Sequence, residues 1–334
     1  MVVRKTAIAL ALMLGWSGSA VAGPALLFDA TNGRVLYAED QDQPWHPASL
    51  TKIMTAYLVF EALKNNKITL DQKIPVSVNA NALPPSKLGL PVGAEISVNL
   101  ALKSLIVKSA NDGAVMLAEA IGGTEEAFVR SMNETALRLG MTQTRFVNPH
   151  GLPAPEQVTT ARDLARLTRA VLKDYPDYGE LWAMSDMQIG RRRLRTHNGL
   201  LRTYEGADGL KTGFICDSGF NVVATATRDN RRIAAVVLGE YTSRDRNLRA
   251  ASLLEHGFRN YEWKQLFSSA TLDTIPVSAE TTTPRSVREM VMSFACNGKR
   301  QARAVPTKKQ KKARTKKPAT AAAAAPAASA AKSD

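Results

Sequence analysis

The sequence predicts an α+β fold, with one antiparallel sheet flanked by helices and a helical subdomain inserted between its strands. Three observations carry that expectation. Residues 25–29 and 34–38, about a Thr31-Asn32-Gly33 turn, read as a hairpin. A second hairpin signal lies far downstream, 220–227 and 232–239 about Arg228-Asp229-Asn230. The long stretch between them is mainly helical in pattern. About 240 residues is ample chain for one sizeable core.

In chain order, residues 1–22 read as a secretory signal peptide. Arg4 and Lys5 precede an apolar run over 7–14, and Ala20-Val21-Ala22 closes it as a small-residue cleavage site. The run is too short to span a bilayer, and it contains no cysteine for a lipid anchor. The mature chain is therefore expected to be exported, periplasmic or associated with the cell envelope. After the first hairpin, a helix over 48–63 follows Pro47, with Ile53, Ala56, Tyr57, Phe60 and Leu63 on an apolar stripe. Helical stretches over 101–107 and 114–121 are separated by Ser109-Ala110-Asn111. Asn111 and Asp112 have the character of caps for the second stretch, and Gly122-Gly123 of its stop. Thr160-Ala161-Arg162-Asp163 opens a helix through residue 172 as a capping box. Gly213 in Asp208-Gly209-Leu210-Lys211-Thr212-Gly213-Phe214 is expected to let a ligand approach the backbone of a strand closely. Residues 285–296 form a short amphipathic helix candidate, with Val287, Met290, Val291 and Phe294 on one face. The Lys/Ala/Pro-rich stretch 298–334 is low in complexity and is expected to be disordered. The expected organisation is thus 1–22 leader, 23–267 main domain, 268–297 extension and 298–334 tail.

Chemistry concentrates in three short strings, Ser49-Leu50-Thr51-Lys52, Ser109-Ala110-Asn111 and Lys211-Thr212-Gly213. Each alone is common. Their order, with 60 residues from Ser49 to Ser109 and 102 from Ser109 to Lys211, makes the set specific. A serine hydroxyl is a poor nucleophile until a base removes its proton. The i, i+3 spacing puts Lys52 one helical turn from Ser49, on the same face. Lys52 acts as that base only if burial or a nearby cation lowers its pKa. Ser49 at a helix start lies where amide N–H groups favour developing negative charge. Ser109 and Asn111, between apolar runs, suit a cleft wall. There Ser109 would relay a proton to a leaving amine, and Asn111 would hold a substrate amide and Lys52. Lys211 with the Thr212 hydroxyl suits a ligand ending in a free carboxylate.

Together the strings resemble the motif set of the penicillin-binding proteins. Within that group the chain is similar to the D-alanyl-D-alanine carboxypeptidases, over roughly residues 26–258. Pro47-Ala48-Ser49-Leu50-Thr51-Lys52-Ile53-Met54-Thr55, Asn148-Pro149-His150-Gly151-Leu152 and Leu253-Leu254-Glu255-His256-Gly257-Phe258 read like further signature stretches of the family. The resemblance implies a β-lactamase/transpeptidase-like fold and a serine nucleophile, Ser49. Peptidoglycan stem peptides would be substrates, β-lactams inhibitors, and no cofactor or metal is expected. It makes the amides of Ser49 and Phe214 the oxyanion hole and the Lys211 strand an edge along which substrate lies. Arg246 matches a family arginine that adds charge for the terminal carboxylate, and His197 stands where some relatives carry another arginine. The family commonly continues after residue 267 into an all-β domain, and too little chain is left here for one. Ala110 replaces the aspartate of class A β-lactamases. A β-lactamase would also need a second base. Glu156 occupies a comparable loop without the Leu-Asn pattern that follows such a base. A D,D-endopeptidase would use the same three strings, and a non-catalytic wall-binding protein would keep them as a vestige.

The net charge of +14 is not spread over one surface. Residues 298–334 hold 11 Lys/Arg and one acidic residue, whereas 23–297 hold 31 basic and 29 acidic ones. An exported chain whose basicity is confined to its tail points away from nucleic acid. The partner expected for the tail is an anionic surface of the cell envelope. The four histidines, His46, His150, His197 and His256, lack zinc-ligand spacing. The two cysteines, Cys216 and Cys296, are permitted a disulfide in an oxidising compartment, and spacing leaves that open.

Overall fold

A computed structural model of the protein describes residues 23–263, 270–277 and 283–296. The expected leader 1–22 and tail 298–334 lie outside the described residues.

Strands β1 (Ala25–Asp29) and β2 (Val35–Glu39) form the first hairpin. Asp29 accepts from the amides of Thr31 and Asn32, and Gly33 takes φ 76°, the left-handed value that favours glycine. The chain then leaves the sheet for a long insertion. This holds α1 (Thr51–Lys64), β3 (Lys73–Pro75), α2 (Val78–Ala82), β4 (Glu95–Ser97), α3 (Val98–Lys103), α4 (Asn111–Gly122), α5 (Glu125–Arg138) and α6 (Ala161–Asp174). It continues through α7 (Gly179–Ala183), the hairpin β5 (Asp186–Ile189) and β6 (Arg192–Arg195), and α8 (Leu200–Thr203). The sheet is completed by β7 (Ala207–Ile215), β8 (Gly219–Arg228) and β9 (Arg231–Glu240), and α9 (Ser243–Arg259) follows. Its order is β2-β1-β9-β8-β7, every pair antiparallel, so β7 is an edge. The second hairpin turns at Asp229 and Asn230, both with positive φ, as a two-residue turn requires.

The period of two in the strands sorts the core into two layers. Leu26, Phe28, Val223, Val236 and Leu238 face one way, packing with the buried residues of α1 and α6. Leu27, Val222, Ala224, Ala235 and Val237 face the other and pack with Ala250 and Leu254 of α9. Each fully buried Leu, Val or Phe contributes about 1.5–3 kcal/mol, so a charge at Leu254 would strip the α9 layer from the sheet.

Several expectations are refined. Residues 48–63 are a 3₁₀ turn, Ala48–Leu50, running into α1, and α1 is buried all round from Thr51 to Phe60 rather than along one stripe. A helix with apolar residues on every face is a central one, and packing against α4, α6 and the sheet uses every side of it. Thr160 caps α6 by accepting from the Asp163 amide at 3.1 Å, and Gly123 ends α4. Asn111 and Asp112 are not the caps of α4; Ala110 stands at the cap position without a side-chain bond, because both polar side chains are engaged elsewhere. The C-terminal helix is shorter than expected, α10 (Arg288–Val291) running into the turn Met292–Cys296. Val291 is buried and Met290 is exposed, so the proposed apolar face divides; the Phe294 side chain lies outside the described residues. The segment docks on the β7–β8 turn, where the Val287 amide donates to the Asp217 carbonyl at 3.1 Å and Arg288 pairs with Asp217. Cys216, in the same turn, is disulfide-bonded, and the chain's one other cysteine is Cys296.

Candidate active site

The three strings converge where the sheet meets the inserted helices. Ser49 lies in the turn that opens α1, after Ala48, whose φ of 48° is uncommon for a non-glycine residue. Gly151 packs on this turn with φ 83°, and an added Cβ there would run into the Ala48 carbonyl. Edge strand β7 packs on its other side. A Cβ at Gly213 would lie 2.9 Å from the Pro47 oxygen and 3.1 Å from the Ser49 nitrogen. The close approach that requires Gly213 is therefore that of the Ser49 turn rather than the expected one of a ligand, and it brings the Ser49 amide to the strand beside Phe214.

Lys52 is 1% exposed, and its amine lies 3.0 Å from Ser49 Oγ. It donates to Asn111 Oδ1 at 2.9 Å and to the His150 carbonyl. A neutral lysine amine has two N–H bonds and one lone pair. With both hydrogens on those oxygens, the lone pair of the neutral form is left to accept from the Ser49 hydroxyl, whereas the charged form donates to Ser49 Oγ. Burial lowers the Lys52 pKa well below the ordinary lysine range; the charge of Lys211 lowers it further, and the Asp112 carboxylate opposes them. The His150 ring, beside Glu125 at 3.6 Å, is held neutral, its pKa pushed down to about 3 by burial and then by Lys52.

Asn111 is fixed from both ends. Its Nδ2 donates to the Pro84 carbonyl at 2.9 Å, and its backbone amide to the Ser86 carbonyl at 2.7 Å. Ser109 ends a π-helical turn, Ser104–Lys108, in the left-handed region at φ 61°. Its Oγ is buried and has no hydrogen-bond partner among the described residues. An unpaired buried hydroxyl costs about 1–3 kcal/mol, and a ligand group in the cleft would relieve that cost.

On β7, Lys211 is buried, and its amine donates to the Thr212 carbonyl at 3.2 Å. Burial, then the nearby Arg246, brings its pKa down to about 7. Arg246, on α9, is 3% exposed and donates to the His197 carbonyl at 3.3 Å and to Asn247 Oδ1. Burial lowers its pKa to about 10. His197 is pushed down to about 4 by burial and by Lys211, Lys108 and Arg246. Among the described residues neither Lys211 nor Arg246 has a carboxylate partner. Thr212 is buried beside them, and Phe214 is partly exposed and packs on Phe220 at 4.2 Å between centroids. Glu156 is not in this cleft; it pairs with Arg145 at 2.7 Å, its side chain 66% exposed. The sequence did not reveal the His150 carbonyl or the 84–89 loop as parts of the site, since backbone acceptors carry no residue-type signal. Gly151, in a string already singled out, was the one hint of a tight backbone approach.

The site can be compared with known proteins. The family model for D-alanyl-D-alanine carboxypeptidases, peptidase S11, matches residues 16–242. D-alanyl-D-alanine carboxypeptidase DacC of Escherichia coli (strain K12) is 38% identical over 244 residues, 71% of this chain and 61% of that protein. The chain thus spans less than two thirds of that relative. The structure of penicillin-binding protein 5 from Haemophilus influenzae is similar with a TM-score of 0.69 at 36% identity, covering 71% of each chain. Penicillin-binding protein D2 from Listeria monocytogenes, solved in an ampicillin-bound form, gives a TM-score of 0.66 at 32% identity over 71% of this chain and 97% of that one.

Proposed function

The chain belongs to the D-alanyl-D-alanine carboxypeptidase family, and on that premise we propose that it is an exported serine-type carboxypeptidase acting on peptidoglycan stem peptides. The observation that carries the reading is the Lys52 amine, buried, with two carbonyl acceptors and Ser49 Oγ at 3.0 Å. Ser49 passes its proton to the Lys52 lone pair while Oγ attacks the carbonyl between the two terminal D-alanines. Charge then develops on that carbonyl oxygen, and the amides of Ser49 and Phe214 are its donors, the interaction usually worth most in acyl transfer. As the peptide C–N bond breaks, the proton moves from Lys52 through the Ser109 hydroxyl to the nitrogen of the departing D-alanine. Water, deprotonated by the same lysine, then hydrolyses the ester and restores Ser49. Lys211, Thr212 and Arg246 receive the carboxylate of the terminal D-alanine, and Asn111 orients the substrate amide.

A β-lactam presents a similar amide and carboxylate, so it acylates Ser49. Its leaving nitrogen remains tethered, and the exposed, paired Glu156 supplies no second base for rapid hydrolysis. In this proposal residues 23–267 carry the catalysis, and the segment around Val287 and Arg288 docks on them. The tail, 298–334, holds the protein to anionic envelope surfaces. Mass spectrometry of the purified protein tests the reading, with penicillin and then with a synthetic peptide ending in D-Ala-D-Ala. The expected result is one long-lived penicilloyl adduct on Ser49 and release of one D-alanine per peptide, both abolished in Ser49→Ala. An adduct on another residue, or its persistence in that variant, would sink the assignment.

A further inference from the structure

The buried carboxylate of Asp112 has no place in the chemistry above, yet it sits one residue from Asn111 and is 2% exposed. It does not cap its own helix. It reaches instead across to residues 88 and 89, accepting from the Leu88 amide at 2.8 Å and the Gly89 amide at 2.9 Å, and from the adjacent Gly113 amide at 2.9 Å. Among the described residues it forms no ion pair. Bonds from an ionised acceptor to amides are stronger than neutral ones, so this is the principal anchor of the 84–89 loop. Two further bonds finish the lacing: Ser86 Oγ donates to the Lys108 carbonyl at 2.8 Å, and Arg192 of β6 donates to the Leu88 carbonyl at 3.1 Å.

The loop in turn decides which end of the Asn111 amide faces Lys52. Its Pro84 carbonyl takes the Asn111 Nδ2 hydrogen, which leaves Oδ1 toward the lysine. If that carbonyl moves away, nothing prevents the amide from turning its nitrogen to Lys52. The amine lone pair would then accept from Asn111 Nδ2 instead of from Ser49, and the base would be lost without any change in Ser49 or Lys52.

We propose that Asp112 is a positioning residue of the acyl-transfer site: by clamping the 84–89 loop it holds the Asn111 amide oxygen on Lys52 and so aims the lysine lone pair at Ser49. The inference rests on the Ser49–Lys52 reading above. The charged and titratable groups facing Lys52 are Asp112 from α4, Lys211 from β7 and His150 from the 148–152 turn, with Arg246, Lys108 and His197 behind Lys211. Asp112 is the one negative charge in that set, and it acts to raise the Lys52 pKa.

The test is the rate of penicillin acylation of Ser49 against pH, in wild type, Asp112→Asn and Asp112→Glu, with thermal melts to verify folding. An asparagine removes the charge and sets its Nδ2 against an amide donor in either orientation, facing Gly113 and Leu88 or Leu88 and Gly89, so the bonds that clamp the loop are weakened. Displacements near 1 Å cost about 10²-fold in rate, and a loss of that order is expected in Asp112→Asn. The ascending limb of its pH profile should also move to lower pH, because a lysine-lowering set has lost its opposing charge. Asp112→Glu keeps the charge but pushes the loop outward, so it should slow acylation with the limb in place. A folded variant of either kind that acylates at the wild-type rate overturns the proposal. So does a slow Asp112→Asn whose limb has not moved, which would mark a merely structural anchor. Absence of any Ser49 adduct in wild type would instead refute the function proposed above.

Discussion

Replacing Lys211 by alanine should separate recognition of a substrate carboxylate from the acyl-transfer chemistry. Lys211 and Arg246 are both buried, and no carboxylate among the described residues neutralises either one. A substrate ending in a free acid supplies that partner, and a charge-assisted hydrogen bond is worth about 1.5–3 kcal/mol. Lys211→Ala should therefore lower kcat/KM for a D-Ala-D-Ala free acid by about 10- to 150-fold. The C-terminal amide of the same peptide should lose much less. The pH dependence sharpens the test. Free Lys211 is charged below about pH 7 and neutral above it. A bound carboxylate favours the charged form, so binding of the acid is full below that pH. It weakens about tenfold per unit above it until the bound-state pKa is reached. Lys52 must be neutral to act, and its lowered pKa places the ascending limb beneath the ordinary lysine range. kcat/KM for the acid should then be bell-shaped, reporting both free-enzyme groups. The descending limb should vanish with the amide substrate and in Lys211→Ala. Equal losses on acid and amide, or a descending limb common to both, would refute a carboxylate-reading Lys211.

Gly151→Ala places a Cβ against the Ala48 carbonyl at φ 83°, which should lower stability by about 1–3 kcal/mol and abolish penicillin labelling; a thermal melt and a labelling gel would both have to be unchanged to contradict it. Glu156→Gln should leave nitrocefin turnover as slow as in wild type, since that carboxylate is at the surface. Turnover at many per second in wild type, lost in the variant, would favour a β-lactamase. Truncation after Asn297 should release the protein from anionic vesicles, as should moderate salt, because exposed charges are screened beyond about 8 Å at physiological ionic strength. Sedimentation that survives both treatments would rule out the tail as the attachment.

The part of the site made of side chains was legible in the sequence. Ser49, Lys52, Asn111 and Lys211 were singled out by type and spacing, and the structure brings them together beside β7, the strand that the family resemblance made an edge. The sheet was equally plain, because its two hairpins carry turn residues with the required backbone signs at Gly33, Asp229 and Asn230. What stayed hidden was made by backbone or by distant pairing. The His150 and Pro84 carbonyls orient Lys52 and Asn111, and any residue type supplies a carbonyl. Asp112 next to a helix start reads as a cap by local rules, and only the folded chain brings residues 88 and 89 within its reach. The apolar stripe on α1 understated its burial, since one-sided periodicity cannot show that a helix is enclosed by α4, α6 and the sheet together. The division of the 285–296 face has the same origin: Val291 is buried while Met290 is left in solvent.

Acyl transfer by this route requires a neutral Lys52 with its lone pair on Ser49. The most direct measurement is the titration of that amine itself, by nuclear magnetic resonance of protein carrying ¹³C-labelled lysine, with Lys52→Arg to assign the signal. Lys52 should titrate well below the ordinary lysine value of 10.5, and penicillin acylation should rise with pH along the same curve. A Lys52 that remains protonated through the pH range in which Ser49 is acylated would contradict that route.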